Sequence, residues 1–489
     1  MSLAIKRTLA QLLQPEQDAS MNQFALRASI TELEPTIAMP CQASDWVPER
    51  RRYLFLSLSA ALALVAHLLF LLILPQPWRK NQSSDYKAYY EPVAQNLIAG
   101  NGFYLHSKPA LTYPPGIPML YASAFWAARK VGLGEANALR ILEGFLLTIS
   151  AVLVCVLGMR FFPWRVALLA SALWSTYPFH LWLTKQPDAT SLLSVFLLSS
   201  ALLFLAWSSR TQDGVRYGVL LGVILGITAL TKPFNIGLPL VFVVLAGVSP
   251  IRSQRRSRIV FSACLLATFA ATIAPWEFWA WHVDGHWIPL CTNGPNALID
   301  GLTFGTERGL PQIALPEGAR ALVVDAATHY PQLKSTRSIA HFIFTKMCET
   351  PTAVLELLLV KAARSWFGNE SHTLERWIAI IQVLYLPLLL LGIRIVWKYG
   401  DAPQKNFALH TIALTAYFWT MTTVTADAIL RYMVPVTCFL IIFVAISFEF
   451  LSTRFFFPKL KISQLCTFKW RVSGHTIDSL ETPRGRIDE

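Results

Sequence analysis

The sequence is short of charge, and of acid most of all. Charged residues fill 15% of its 489 positions, against roughly 25% in soluble domains. Asp and Glu number 29 against 42 Lys and Arg. So little charge cannot cover the two or three soluble domains that this length would otherwise require. Cysteine is sparse too. The seven thiols at 41, 155, 264, 291, 348, 438 and 466 include no CxxC pair. That excludes a disulfide scaffold and a zinc module. His106, His180 and His282 fall at no metal-ligand spacing, so neither a structural metal nor a cofactor is expected. No internal repeat is evident, which counts against an inverted-repeat transporter. The first 45 residues lack a basic start followed by an apolar core, so no cleavable signal peptide is expected there. The net charge of +13 is not laid out as a basic stripe with interleaved aromatics, which argues against a nucleic-acid partner.

What the chain does have is apolar runs. Hydrophobic residues reach 54% and gather in stretches of about 18–24 residues, long enough to cross a bilayer as helices. Runs begin at about 53–75 and continue near 140–161, 164–182, 189–208, 215–232, 234–249 and 258–280. Three more lie near 374–396, 406–425 and 429–451. The expected fold is therefore all-α and polytopic, with about ten and up to twelve transmembrane helices. Residues 1–50 read as a cytoplasmic extension, 51–452 as the membrane domain and 453–489 as a basic cytoplasmic tail. Arg50–Arg52, Arg210 with Arg216, Arg252–Arg258, Lys398 with Lys405, and Arg454–Lys461 mark every second loop. The positive-inside rule places those loops in the cytoplasm. Two long polar segments, about 76–139 and 281–373, then fall on the outer side. Each should contain interfacial helices, one near 117–129. Another, at 353–367, is read as amphipathic from Leu357, Leu358, Lys361 and Arg364 at helical offsets. Cys291 and Cys348 share the second outer segment; they could pair in an oxidising compartment or stay as two thiols.

The first outer segment carries the best candidate for chemistry. Asp85 follows the first run by about ten residues, and Tyr86, Tyr89, Ala94 and Leu97 then space out along one helical face. The carboxylate would stand at the membrane–water boundary near a helix start, as a reactive group or as a helix N-cap. Asp188 stands at an outer helix end, where an acid is costly unless it is paired or used. It could bind substrate hydroxyls, cap the helix or join an ion pair. Asp427 precedes Arg431 by four residues, a spacing at which the two could pair.

Read together, these positions resemble the GT-C membrane glycosyltransferases. The likeness is to the group of protein O-mannosyltransferases and lipid A aminoarabinose transferases (glycosyltransferase families 39 and 83). Asp85, Tyr89, Ala94-x-Asn96-Leu97 and Gly100-x-Gly102 resemble the first-loop signature. Tyr113-Pro114-Pro115-Gly116-x-Pro118 is similar to the Pro-Pro element, and Arg140 opens the second run as that group's Arg does. Pro187-Asp188, Lys232-Pro233, Pro275-Trp276, Thr292-Asn293-Gly294 and Arg431-Tyr432-x-x-Pro435 follow in the same order. The likeness covers about 53–450. It departs at Asp85-Tyr86, where the mannosyltransferases have Asp-Glu, and at Tyr113, where the aminoarabinose branch has Lys.

The resemblance implies a sugar donor carried on a polyprenyl phosphate and a lipid, glycan or protein acceptor. Asp85 would be the general base toward an acceptor hydroxyl. Cationic side chains would stabilise the departing phosphate, with Arg431 foremost and Lys87, Arg140, Lys361 and Arg364 as further candidates. Tyr113, Tyr432 and Asp188 complete the expected substrate-binding set. Each cation could instead serve as an interfacial anchor. The expected location is a bacterial inner membrane with the site on the periplasmic side. The reading from another class is a lipid or small-solute transporter.

Overall fold

A computed structural model describes residues 49–75, 83–185, 188–209, 213–248, 255–305, 314–370, 374–425 and 427–456. Most of the expected N-terminal extension and basic tail lies outside them. The described chain is an all-α, polytopic membrane protein. Its strands among the described residues are the two-residue partners of one hairpin, β1 (Tyr104–Leu105) and β2 (Lys108–Pro109).

The chain runs from α1 (Glu49–Ile73) through a π-helical turn (Tyr86–Tyr90) into α2 (Glu91–Ile98). Helices α3 (Gly116–Lys130) and α4 (Glu135–Phe161) follow the hairpin. Next come α5 (Trp164–Ser175), α6 (Pro178–Thr184), α7 (Thr190–Ser209) and α8 (Gly214–Thr231). A 3₁₀ turn (Pro233–Gly237) leads to α9 (Leu238–Val248) and α10 (Arg255–Asp284). Four shorter helices, α11 (Gly294–Thr303), α12 (Glu317–Thr328), α13 (Thr336–Glu349) and α14 (Pro351–Arg364), precede α15 (Glu375–Tyr399). The chain ends in α16 (Ala402–Thr425), a 3₁₀ turn (Leu430–Tyr432) and α17 (Val434–Phe456).

By length and composition, seven described helices are long and apolar enough to cross a membrane: α1, α4, α7, α8, α10, α15 and α17. The ten expected runs all coincide with helical segments, yet three differ from a simple span. The 164–182 run breaks at Thr176 and Tyr177, because Pro178 has no N–H for a continuing helix and starts α6 instead. Pro233 turns the 234–249 run into a 3₁₀ segment followed by a helix of 11 residues. Helix α16 is long enough, but polar residues such as His410, Thr411, Thr415 and Thr422 lower its mean hydropathy.

Apolar side chains face outward along the bundle, including Leu68 and Leu72 on α1 and Val383 and Leu384 on α15. In water such a surface would drive association; against lipid tails it is the solvated state. Helix α17 instead has Phe439, Ile441, Ile442 and Phe443 all fully buried, as expected for a helix apolar on every side. Its start therefore stands near the bundle axis, and that fixes Arg431 just before it.

Close helix contact depends on small residues. Gly214, Gly218, Gly222 and Gly226 recur every fourth position on the face of α8 that meets α10. A Cβ added at Gly218 or Gly222 would sit 2.6 Å from the carbonyl oxygens of Phe261 or Leu265. At the far end of α8, Gly116 approaches just as closely: an added Cβ would lie 2.7 Å from the Leu230 carbonyl oxygen. That contact brings the Tyr113-Pro-Pro segment beside Lys232.

The two long polar segments meet. The Thr292 N–H donates to the Leu111 carbonyl at 2.8 Å, and α11–α14 close around their own small core. Helix α14 covers most of the 353–367 stretch. Leu357, Lys361 and Arg364 lie on one helical stripe, so burying the leucine buries both cations, while Leu355 and Leu359 are exposed. Both cations are thus turned into the protein and not toward water.

Candidate functional site

Asp85 opens the π-helical turn, yet its carboxylate is not spent on the helix end. Ser83 does the capping: its hydroxyl accepts the Tyr86 N–H at 3.3 Å, and Asp85 makes no side-chain cap bond. Its Oδ1 accepts instead from the Tyr113 hydroxyl at 3.0 Å. Tyr113 is held in turn. The Tyr89 hydroxyl donates to the carbonyls of Ala110 and Tyr113 at 2.6 and 2.9 Å, stapling that loop to the turn. The Tyr113 ring packs on Tyr89 and Tyr90 with centroids 5.1 and 5.3 Å away. Burial, and then the neighbouring Asp85, push the Tyr113 hydroxyl well above its ordinary value, so it stays a donor.

Asp188 approaches from the start of α7. Its Oδ1 accepts the Thr190 N–H at 2.6 Å, a helix cap, while Oδ2 faces Arg431 Nε at 3.6 Å. Arg431 also contacts the Glu370 carboxylate through NH1 at 2.7 Å. Burial opposes its charge, but Glu370, Tyr432, Asp188 and Asp85 more than offset this, and its pKa is raised. Lys232, at the end of α8, lies with Nζ 4.6 Å from the Tyr432 ring centroid. Burial and then Arg431 lower its pKa to about 8, against the opposing pull of Asp188, Asp85 and Glu370.

Six chain segments thus converge on one place: Asp85, Tyr113, Asp188, Lys232, Glu370 and Arg431–Tyr432. The arrangement offers a carboxylate with a fixed hydrogen-bond donor, beside two cations and a set of tyrosine rings. Comparison with solved structures gives distant likenesses. The archaeal oligosaccharyltransferase AglB from Archaeoglobus fulgidus, in complex with an inhibitory peptide and a dolichol-phosphate, is similar at a TM-score of 0.49 and 13% identity. That match covers 84% of this chain and 52% of the other, so the chain spans about half the length of the oligosaccharyltransferase. ArnT from Cupriavidus metallidurans, bound to undecaprenyl phosphate, gives a TM-score of 0.37 at 15% identity over 81% of this chain and 78% of that one. No family model and no curated protein matches the sequence. At these scores the likenesses carry no argument, and the site is read from its own geometry.

Not every expected residue joins it. Lys87 is exposed, because the π-helical turn buries Tyr86, Tyr89 and Tyr90 on the other side. Arg140 is exposed near the start of α4 and bonds Asn137 Oδ1 at 3.1 Å. Lys361 and Arg364 form a neighbouring cluster. Arg364 donates to Glu375 Oε1 through Nε and NH2, at 3.1 and 2.6 Å, and to the Asn369 carbonyl at 3.1 Å. Those bonds fasten the turn that follows α14. Lys361 is buried beside Asp427, and burial lowers its pKa to about 8. Asp427 does not form an ion pair with Arg431, since residues 427–429 are irregular and the four-residue offset has no helix to act on. Pro187 of the Pro187-Asp188 motif lies outside the described residues. Cys291 and Cys348 are free thiols.

Two members of the site were missed as such in the sequence. Lys232 was visible as a Lys-Pro step at the end of an apolar run, and Glu370 stood in none of the motifs that carry the resemblance. Another buried acid, Glu143, lies within α4, hydrogen-bonded to Ser191 close behind Asp188. Among the described residues no three His, Cys, Asp or Glu side chains group as metal ligands.

Proposed function

We propose that the protein is a glycosyltransferase that moves a sugar from a polyprenyl-phosphate donor to a hydroxyl acceptor at the outer face of a membrane. The observation that carries this reading is the pairing of opposite tasks in one place. Asp85, oriented by Tyr113, lies within electrostatic reach of Arg431 and Lys232 at one end of a lipid-facing bundle. A lipid-borne substrate would present its phosphate there while its tail stays among the helices.

In the reaction, the acceptor oxygen forms a bond to the anomeric carbon as the bond from that carbon to the phosphate oxygen breaks. The acceptor's proton passes to Asp85, and the leaving electron pair goes to the phosphate. The guanidinium of Arg431 and the ammonium of Lys232 would meet that negative charge as it grows. Asp188 caps α7 through Oδ1, and its Oδ2, which faces Arg431 without a hydrogen bond, would receive a sugar or acceptor hydroxyl. The tyrosine rings around Asp85 give the sugar an apolar wall that excludes water. A bacterial inner membrane with the site on its periplasmic side fits the charge of the loops.

The test is Asp85→Asn in the purified protein, assayed for release of polyprenyl phosphate from a polyprenyl-phosphate sugar. Transfer should fall by at least about a hundredfold with donor binding retained; undiminished transfer removes Asp85 as base. Orientation is checked on intact cells with the exposed Cys348 as the one remaining thiol. An impermeant maleimide should label it from outside, and labelling only after permeabilisation overturns the placement.

A further inference from the structure

Arg431 is already occupied in the structure. Its Nε edge faces Asp188 at 3.6 Å, its NH1 meets Glu370 at 2.7 Å, and its NH2 lies 3.4 Å from the Tyr432 hydroxyl. A phosphate approaching the NH1 edge of this guanidinium meets the Glu370 carboxylate already there. The two carboxylates are built very differently. Asp188 has a side chain 8% exposed and is fixed by the Thr190 N–H. Glu370 is 57% exposed, and among the described residues its carboxylate is held through Arg431.

The backbone beneath Glu370, by contrast, is firmly placed. The Leu430 N–H donates to the Gly368 carbonyl at 2.9 Å, so the strand of chain carrying Glu370 is tied beside the one carrying Arg431. Gly368 is required for that approach, since a Cβ there would collide with the Ala428 carbonyl. The Asn369 N–H is bound by Glu375 at 3.2 Å, and its carbonyl by Arg364. Glu370 thus extends from backbone anchored at Gly368 and Asn369.

We propose that Glu370 is a displaceable stand-in for the donor's phosphate, holding the outer edge of Arg431 until a lipid phosphate takes it. This rests on the reading of Arg431 as the phosphate site. The exchange is balanced in charge: a phosphodiester donor carries one negative charge, as does the carboxylate it displaces. Arg431, largely buried, is never left without a counter-ion, which would be costly. An ion pair with one well-exposed partner is weakened by solvent, whereas an arginine fork suits two phosphate oxygens, so the exchange runs toward the ligand. After transfer the product is a phosphate monoester with up to two charges, which would hold Arg431 more tightly than the donor did. Return of Glu370 to the same edge then opposes product retention. Glu370 thus sets the balance between donor capture and product release.

Farnesyl phosphate serves as a lipid-phosphate probe and inorganic phosphate as the free ion, titrated into the full-length protein in detergent. Glu370→Gln should tighten farnesyl phosphate about three- to tenfold, because the competent fraction of Arg431 rises. The gain should vanish in an Arg431→Gln background. Inorganic phosphate should gain by a similar factor at much weaker absolute affinity, which marks the guanidinium edge as the shared element and the chain as the lipid's contribution. In turnover, the donor KM should fall while inhibition by farnesyl phosphate rises. Unchanged or weaker binding by Glu370→Gln, with wild-type binding still dependent on Arg431, overturns the exchange and leaves the phosphate site standing. Binding that survives Arg431→Gln overturns both.

Discussion

The Tyr113 hydroxyl donates to Asp85 Oδ1 at 3.0 Å across 28 residues of chain, and that bond sets the direction of the carboxylate. Two backbone carbonyls hold the Tyr89 hydroxyl against the same loop, so the donor is placed before any substrate arrives. If Tyr113 positions the base, Tyr113→Phe should lower kcat by about tenfold while leaving the donor KM nearly unchanged. A rise in KM at constant kcat would make Tyr113 a binding residue instead.

Lys232 gives the site a pH dependence whose sign can be worked out. Burial disfavours its ammonium, so the proton leaves near pH 8 instead of at the ordinary 10.5. Below about pH 8 the cation is present to meet a phosphate, and above it the charge is lost. Affinity for a phosphodiester donor, which does not itself titrate there, should therefore fall as pH rises through this region. A bound donor favours the protonated amine and moves the midpoint upward. Lys232→Gln should flatten the profile at low affinity, and Lys232→Arg should extend strong binding to higher pH. A profile identical in wild type and Lys232→Gln would remove Lys232 from the phosphate site.

Arg364 is predicted to act on stability. Its side chain is 2% exposed and engaged with Glu375. Arg364→Met leaves that carboxylate buried without its partner, a loss of about 3–5 kcal/mol for a buried pair. Thermal unfolding in detergent should show a large drop in Tm, and the double variant Arg364→Met with Glu375→Leu should recover much of it. A stable single variant with weakened phosphate binding would return Arg364 to the substrate-binding set.

The glycine face of α8 makes a separate claim about packing. Gly222→Leu should separate α8 from α10, because even a Cβ would press on the Leu265 carbonyl. Overpacking of this kind costs about 1–3 kcal/mol, and more where backbone must move. Lower yield and Tm are expected, whereas Leu220→Ala, on an exposed side of the same helix, should be close to neutral.

The helices were legible because hydrophobic run length is a local property. Pro178 and Pro233 decided where the 164–182 and 234–249 runs break, and both were visible, but the consequence of each depended on neighbouring helices. Asp85 stood out because an acid just after an apolar run has few ordinary uses. Glu370 had no such signal: it follows Gly368 and Asn369 in a turn, and only the Gly368–Leu430 hydrogen bond brings it to Arg431. Lys361 and Arg364 misled for a related reason. Their offsets are those of an amphipathic helix, but periodicity says which residues share a face and not which way that face turns.

Composition and run length alone determined that this chain is a membrane bundle with an acid near the start of its first long polar segment, because apolar length maps directly onto helices that satisfy their own backbone. The tertiary structure decided which charges meet. Asp85, Asp188, Lys232, Glu370 and Arg431 are spread over some three hundred and fifty residues, and no local pattern links them. They are brought together by backbone approaches at Gly116 and Gly368 and by the buried position of α17, which are properties of packing between distant segments.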